Sequence, residues 1–255
     1  MRMSAPVGSR HVPSAPLRLL VVVPAWNEDG SVAEVVREVR VAMPAADCLV
    51  VDDGSTDSTT AAARAAGARV LQLPFNLGVG GAMRAGFRFA RDNGYTAVVQ
   101  VDADGQHDPR DIPALLARLD HTDIVIGSRF AGAGDYTARG PRRWAMRFLG
   151  WAVSLVAHRP LPDVTSGFKA AGPRAVALFA HTYPAEYLGD TVEALVIAAR
   201  AGLDIEPVPI AMRERQAGLP SHHPVRASVY LLRAGVAFLL ALMRPRVRIP
   251  EVRVP

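Results

Sequence analysis

The chain has 255 residues, half of them hydrophobic and 21% charged, with 41 Pro and Gly. That composition excludes a disordered, collagen-like or mucin-like chain, and the length allows one large domain with a sizeable core. Basic residues exceed acidic ones by five, which favours anionic partners; 28 of the 29 basic residues are Arg, so a GC-rich codon bias contributes to the excess.

Residues 1–17 hold Arg2 and Arg10 but no apolar stretch before Pro16. They read as a disordered polar arm, with no secretory signal. Leu19-Leu20-Val21-Val22-Val23 is a continuous apolar run, the pattern of a strand buried on both faces of a parallel sheet. Ser31 and Glu34 have capping-box spacing, and Val32, Val35, Val36 and Val39 follow at helical spacing. Next come a strand near 48–52, a helix near 57–66, a strand near 69–73 and a helix near 78–92. Ala97–Val101 reads as a strand running into Asp102, followed by a helix near 110–119 and a strand at Asp123–Gly127. This βαβα order predicts an α/β fold with a single Rossmann-like, mostly parallel central sheet flanked by helices. Cys48 is the one cysteine. It reads as a small buried hydrophobe, excludes an internal disulfide framework and suits a reducing, cytoplasmic compartment.

The second half is less regular. Arg142–His158 has helical character, with Trp144, Phe148, Trp151 and Leu155 near one face. Ser166–Ala171 is a short strand or turn, Asp190–Ala201 a helix ending at Gly202, and Ile205–Ile210 a strand. Ala227–Met243 reads as a long apolar helix followed by a basic tail. These elements place a main domain over 18–222 and a C-terminal helix and tail over 223–255.

In open α/β sheets, ligands lie beyond the carboxyl ends of the strands. Those ends carry Pro24-Ala25-Trp26-Asn27-Glu28, Asp52-Asp53-Gly54-Ser55 and Asp102-Ala103-Asp104-Gly105-Gln106-His107. Carboxylates from three strand tips repel unless a cation sits among them. A divalent metal with a nucleotide diphosphate meets that need. Asp102 and Asp104 can both reach a site at the strand tip, and oxygen ligands suit Mg²⁺ or Mn²⁺. Gln106 adds an oxygen and His107 a nitrogen. An Asx turn leading to a helix cap is the plainer use of the same residues. Glu28 and Asp53 can accept from ribose or base, and Trp26 offers a stacking face. Helix capping is their alternative, with Asp52 or Asp57 capping the helix near 57–66. Asn76-Leu77-Gly78-Val79-Gly80-Gly81 opens a helix, so it serves either as a phosphate cradle or as close helix–sheet packing.

The blocks Pro24–Glu28, Val51–Asp57, Asn76–Gly81, Asp102–Pro109, Gly127–Phe130 and Asp163–Ala170, in that order, resemble family 2 glycosyltransferases of the GT-A fold. The resemblance is to the dolichol-phosphate-mannose synthase type and covers about 18–220. It implies inverting transfer of a sugar from a GDP- or UDP-linked donor to a polyprenyl phosphate. Pro24, Ala25, Trp26, Glu28, Val51 and Asp53 would hold the nucleoside. Asp102, Ala103 and Asp104 would meet the sugar diphosphate, with Asp102, Asp104 and Gln106 as metal ligands. Arg129 would contact phosphate or acceptor, with a bidentate fork suited to phosphate oxygens. Lys169, the one lysine, with Arg213 and Arg215, would meet an anionic acceptor. Asp190, as much a helix cap with Glu193 as a base, would deprotonate a hydroxyl acceptor. A polyprenyl phosphate is already ionised and needs no base. Pro220-Ser221-His222 departs from the Ser-Lys pair that often follows Gly218 in such enzymes.

After Arg233 only ten apolar residues follow, against the roughly 20 needed to span a bilayer. An interfacial helix bordered by Arg244, Arg246 and Arg248 suits an anionic inner leaflet, with a homodimer contact or core packing as alternatives. Rival functions are transfer to a hydroxyl of a polysaccharide or lipid-linked glycan, and a non-catalytic sugar-nucleotide-binding scaffold. A nucleic-acid binder lacks any supporting signature. A dinucleotide oxidoreductase would need a glycine-rich first turn.

Overall fold

In this computed structural model the strand Leu19–Ala25 (β1) is buried along its whole length. Its side chains alternate between two cores: Leu19, Val21, Val23 and Ala25 enter one, Leu20 and Val22 the other. Two covered faces explain why the run is apolar throughout. The structure describes residues 17–129, 141–185, 190–213, 235–236, 238–245, 247 and 249–250, with 141–145 described by backbone only.

From β1 the chain continues through α1 (Val32–Ala42), β2 (Asp47–Asp52), α2 (Thr59–Ala65), β3 (Arg69–Gln72), α3 (Gly78–Asp92) and β4 (Ala97–Gln100). A 3-10 turn, Pro109–Asp111, leads into α4 (Ile112–Leu116) and β5 (Ile124–Ser128). Then come α5 (Pro141–Ala157), β6 (Lys169–Ala171), α6 (Pro173–Thr182), α7 (Asp190–Arg200) and β7 (Ile205–Pro209). The seven strands lie in the order β3-β2-β1-β4-β6-β5-β7. All neighbouring pairs are parallel except those of β6, which runs antiparallel to β4 and β5. The chain steps outward from β1 to β3, then returns to lay β4 on the other side of β1. This reversal opens a crevice at the carboxyl ends of β1 and β4.

One core takes Val35 and Val39 of α1, Ala63 of α2 and Ile112 and Leu115 of α4. The other takes Met83 and Phe87 of α3, Leu149 and Val153 of α5, Leu178 and Phe179 of α6 and Leu195 of α7. Cys48 is buried in β2, and burial pushes its thiol up to about 12, so it acts as a hydrophobe.

Three expectations change or narrow. The Ser31–Glu34 capping box does not form: Ser31 makes no side-chain cap bond and its hydroxyl donates to the Glu28 carboxylate at 3.0 Å, while Glu34 pairs with Arg37. Within Ser166–Ala171, read as a short strand or turn, the strand takes Lys169–Ala171. Helix α6 was not anticipated, although Pro173 at its first turn and Gly172 before it are start signals. Of the expected helix Ala227–Met243, residues 235–236 and 238–243 are helical and the rest lie outside the described residues, as does the arm 1–16. Among the described residues no helix is long and apolar enough to cross a membrane.

Helix α3 lies close enough to β1 that a Cβ on Gly86 would stand 2.7 Å from Val22 Cγ1. Overlap of that kind costs about 1–3 kcal/mol, against roughly 1 kcal/mol gained from alanine's helix propensity. Gly86→Ala is therefore expected to lower stability, by up to about 2 kcal/mol, as read by urea unfolding.

Candidate active site

The crevice is built first by turns that fasten the strand tips together. Asn27 adopts a left-handed φ of 53° just past β1. Its Oδ1 accepts from the Thr56 N–H and its own N–H donates to Ser55 Oγ, both at 2.9 Å. The Glu28 N–H donates to Thr59 Oγ1 at 2.8 Å. These bonds fix the β1 tip against the turn after β2. Trp26, 53% exposed, stands clear of the core as a stacking face must, and Pro24 and Ala25 end the buried strand beside it. Val51 is fully buried, pairs with Pro24 in the sheet and commits its side chain to the core.

Asp52, Asp53 and Asp57 each accept backbone N–H groups. Asp52 Oδ1 takes the Ser55 N–H at 2.9 Å and its Oδ2 the Thr60 hydroxyl. Asp57 Oδ1 takes the Thr59 N–H at 2.9 Å, so Asp57 is the side chain bonded to the first residue of α2. Asp53 takes the Leu77 N–H at 2.8 Å on one oxygen and the Gly78 N–H at 2.7 Å on the other. Burial pushes its carboxyl up while those two bonds pull it down, with a raised result. The glycine-rich start of α3 therefore donates to a protein carboxylate and does not form an open phosphate cradle. Gly54 has a φ of +73°, and a Cβ there would meet the Phe75 carbonyl carbon at 2.7 Å. Close approach in this region also occurs at Gly80, whose Cβ would stand 2.4 Å from the Pro184 carbonyl oxygen and 2.9 Å from Asp190 Cβ.

Asp102 and Asp104 leave β4 at the crevice. Asp102 Oδ1 accepts from the Gln100 amide at 3.0 Å. Its backbone N–H donates to His107 Nδ1 at 3.1 Å, which places the ring proton on Nε2, 3.7 Å from Asp102 Oδ2. His107 stacks on Phe168 with centroids 5.0 Å apart, so it orients Asp102 and offers no lone pair from Nδ1 to a ligand. Gly167 lies against Asp102 as well, and a Cβ there would come within 2.7 Å of Oδ2. Asp104 is buried and its Oδ1 accepts the Gln106 N–H at 3.0 Å across Gly105, whose φ is +76°. Ala103 is buried between the two carboxylates. Gln106 is half-buried, and its carbonyl accepts the Arg213 N–H at 3.0 Å.

Three buried polar atoms near these strand ends, Gln100 Oε1, Ser128 Oγ and Ser166 Oγ, have no hydrogen-bond partner among the described residues. Buried polar atoms are costly when unpaired, so a polar ligand fits here. Among the described residues no group of three or more His, Cys, Asp or Glu forms a closed metal site. The Asp102 and Asp104 carboxylates supply the oxygen ligands that suit a hard cation, with phosphate and water able to supply the rest.

On the opposite side, Arg129 is clamped by Asp163. Its Nε and NH2 reach the two carboxylate oxygens at 2.6 and 2.8 Å, and NH2 also reaches Thr165 Oγ1 at 2.7 Å. Burial pushes the Asp163 carboxyl up, but the bonds and charge of Arg129 outweigh it and hold it below its usual 3.8. Lys169 begins β6 opposite Gln100 and Ile126. Its Nζ donates to the Tyr183 hydroxyl at 3.2 Å. Burial lowers the ammonium to about 8, opposed by the charges of Asp190 and Asp102. Asp190 is pushed up by burial, with Lys169 acting against that, and its Oδ1 accepts the Thr191 N–H at 2.9 Å. Glu193 meets Arg244 at 2.8 Å.

The fold thus brings Asp102, Asp104, Gln106, Lys169 and Asp190 to one edge. Arg213 is held differently: NH1 pairs with Glu38 and NH2 with Asp108, both at 2.7 Å, so two carboxylates already meet its charge. Arg215 lies outside the described residues, as do Phe130 and Pro220-Ser221-His222. Gln100 and Tyr183 were not anticipated. Tyr183 is placed by rings of α3 and α6, Phe87 at 5.2 Å and Phe179 at 5.1 Å between centroids, contacts with no local sequence signal.

Residues 20–171 match the profile described as Glycosyl transferase family 2. The chain is 36% identical over 214 residues to the undecaprenyl-phosphate mannosyltransferase of Micrococcus luteus, covering 79% of this chain and 86% of that protein. It is 32% identical over 166 residues to the polyprenol monophosphomannose synthase of Mycolicibacterium smegmatis, covering 60% of this chain and 61% of that one. Among solved structures it is similar to glucosyl-3-phosphoglycerate synthase from Mycobacterium tuberculosis in complex with Mn²⁺, UDP and phosphoglyceric acid. That match has a TM-score of 0.67 at 22% identity, over 90% of this chain and 80% of the other, and it is a likeness of fold. The chain belongs to glycosyl transferase family 2 and has the GT-A fold. It is a glycosyltransferase, which sets aside the scaffold reading.

Asp163→Asn would remove the buried carboxylate charge that clamps the Arg129 guanidinium, at a cost of about 3–5 kcal/mol. A carboxylate held below 3.8 stabilises the fold above that pH, and this contribution fades as pH falls through its lowered value. The stability gap between wild type and Asp163→Asn, from urea titrations, should be constant from about pH 5 to 8 and shrink below about pH 4.

Proposed function

We propose that the protein moves a sugar, with inversion, from a GDP- or UDP-linked donor to a polyprenyl phosphate at the inner face of the cell membrane. The observation that carries this is the placement of Lys169 on the strand edge that bears Asp102, with both Asp102 and Asp190 acting on its charge. A phosphate oxygen drawn to that cation is brought toward a sugar diphosphate held at Asp102 and Asp104. The names of the Micrococcus and Mycolicibacterium relatives support a polyprenyl phosphate acceptor.

Trp26 would stack on the base, with Pro24, Ala25, Glu28, the Val51 backbone and Asp53 shaping the nucleoside pocket. Asp102, Asp104 and Gln106 would hold Mg²⁺ or Mn²⁺, which neutralises charge developing on the diphosphate. Lys169 orients the acceptor phosphate. Its oxygen bonds to the anomeric carbon as the carbon–oxygen bond to the diphosphate breaks, and the nucleoside diphosphate leaves with the electron pair. Arg129, fixed by Asp163, presents its guanidinium edge to phosphate oxygens, and Arg213 supports the Asp102–Gln106 turn through its backbone bond. Phe148, Trp151 and Leu155 of α5 and Leu239, Leu240 and Met243 near the C-terminus are exposed. Phe148, Trp151 and Leu155 share one helix face, a surface suited to peripheral membrane attachment.

A hydroxyl acceptor on a glycan is the second reading, favoured by the burial that raises the Asp190 carboxyl toward the range of a general base. Asp190→Asn separates the two. Transfer to a polyprenyl phosphate should survive within a few-fold, whereas transfer to a hydroxyl should fall ~10²–10⁴-fold.

The donor side is tested by thermal unfolding with UDP or GDP, with and without Mn²⁺. At 100 times its dissociation constant a nucleotide adds about 2.7 kcal/mol, hence a rise of ~5–10 °C. Asp104→Asn should keep its fold, lose the metal-dependent part of the rise and lose transfer. A variant that transferred sugar at the wild-type rate would refute the assignment of Asp104.

A further inference from the structure

Away from the crevice, a cavity of about 280 Å³ lies between α3, the end of α6, α7 and the C-terminal residues 241–247. Arg84, His181, Arg200 and Arg244 line it, and no Asp or Glu does. Arg244 is met by Glu193 at 2.8 Å. Arg84 and Arg200 have no carboxylate partner among the described residues. Arg200 spends its donors on main-chain carbonyls, those of Leu242 and of Arg244, the latter at 2.8 Å. Arg84 reaches the His181 carbonyl at 3.3 Å, and its Nε is buried with no hydrogen-bond partner. His181 Nε2 lies 3.0 Å from Arg91 NH1, so it accepts and brings no proton of its own to that bond.

Three guanidinium groups thus meet at a partly enclosed cavity that no carboxylate lines. Like charges gathered together repel one another, and an anion among them relieves that repulsion. An orphaned guanidinium N–H asks for an acceptor, and the planar fork of Arg matches the oxygens of a phosphate. The volume is below the ~300–1,000 Å³ of pockets that enclose drug-sized ligands, which suits a phosphate group and not a whole nucleotide.

We propose that this cavity is a second anion site, built by Arg84, Arg200 and Arg244, that binds a phosphate-class oxyanion. The oxyanion is supplied either as free phosphate or as a lipid headgroup. Exposed Leu239, Leu240 and Met243 sit on the segment that closes the cavity, next to a place where a headgroup would enter. The site shares Tyr183 with Lys169 but uses none of the donor-side residues, so it stands independently of the acceptor assigned above.

Arg84→Met tests it, because Arg84 has no part in transfer. Free phosphate is read by thermal unfolding in millimolar inorganic phosphate. If free phosphate is the ligand, wild type and Asp104→Asn rise equally and Arg84→Met does not, while its rise with nucleotide and Mn²⁺ is kept. A headgroup is read by co-sedimentation with phosphatidylglycerol vesicles against phosphatidylcholine vesicles. If a headgroup is the ligand, Arg84→Met binds the anionic vesicles several-fold more weakly and the neutral ones unchanged. An Arg84→Met protein that matches wild type in both assays overturns the proposal. Should Arg84→Met fail to fold, Arg84→Lys keeps the charge and loses the fork. It should need several-fold more phosphate or anionic lipid for the same effect, and no change would overturn the proposal.

Discussion

Burying β1 on both faces commits the chain to build outward from it in two directions. Helices must cover each side, and the strands must be added first toward β3 and then, after the return, toward β4. The point of return leaves the tips of β1 and β4 uncovered by any crossover. Polar residues can collect there without cost to either core. Trp26, Glu28, Asp102 and Asp104 lie at that gap, with the two layers of Val, Ile and Leu packed behind them.

Much of the polar chemistry around the gap is scaffolding. Asn27, Asp52, Asp53 and Asp57 hold turns and a helix start, and His107 and Gly167 both pack close to Asp102. Asp163 fixes Arg129 in a buried bidentate pair, and Arg213 ties the Gln106 carbonyl to Glu38 and Asp108. A preorganised site needs such supports, since groups that are already aimed need not reorganise during reaction. The groups left for chemistry are few and sit on both sides of the gap.

The parts of this arrangement legible in the sequence were those with local signals. Continuous apolar runs marked the buried strands, the helical spacing of Val32, Val35, Val36 and Val39 marked α1, and acidic tips after strands marked the carboxylates. Capping was less legible, because Ser31 and Glu34 had the right spacing yet found better partners in Glu28 and Arg37. Pairings distant in sequence gave no signal at all. Arg129 and Asp163 are 34 positions apart, and Tyr183 reaches Lys169 only because α6 packs along α3. The antiparallel insertion of β6 between β4 and β5 was equally hidden, since three residues are too few to show a period.

Lys169 is the one side-chain amine in an arginine-rich chain. Burial leaves it with a proton affinity near 8, so at neutral pH a fraction of it is the uncharged, nucleophilic form. No other side chain competes for an amine-selective reagent. The extent of acylation at this position therefore reads directly how often this buried end of β6 opens to solvent, and anything that covers it becomes visible as protection of a single side-chain nitrogen.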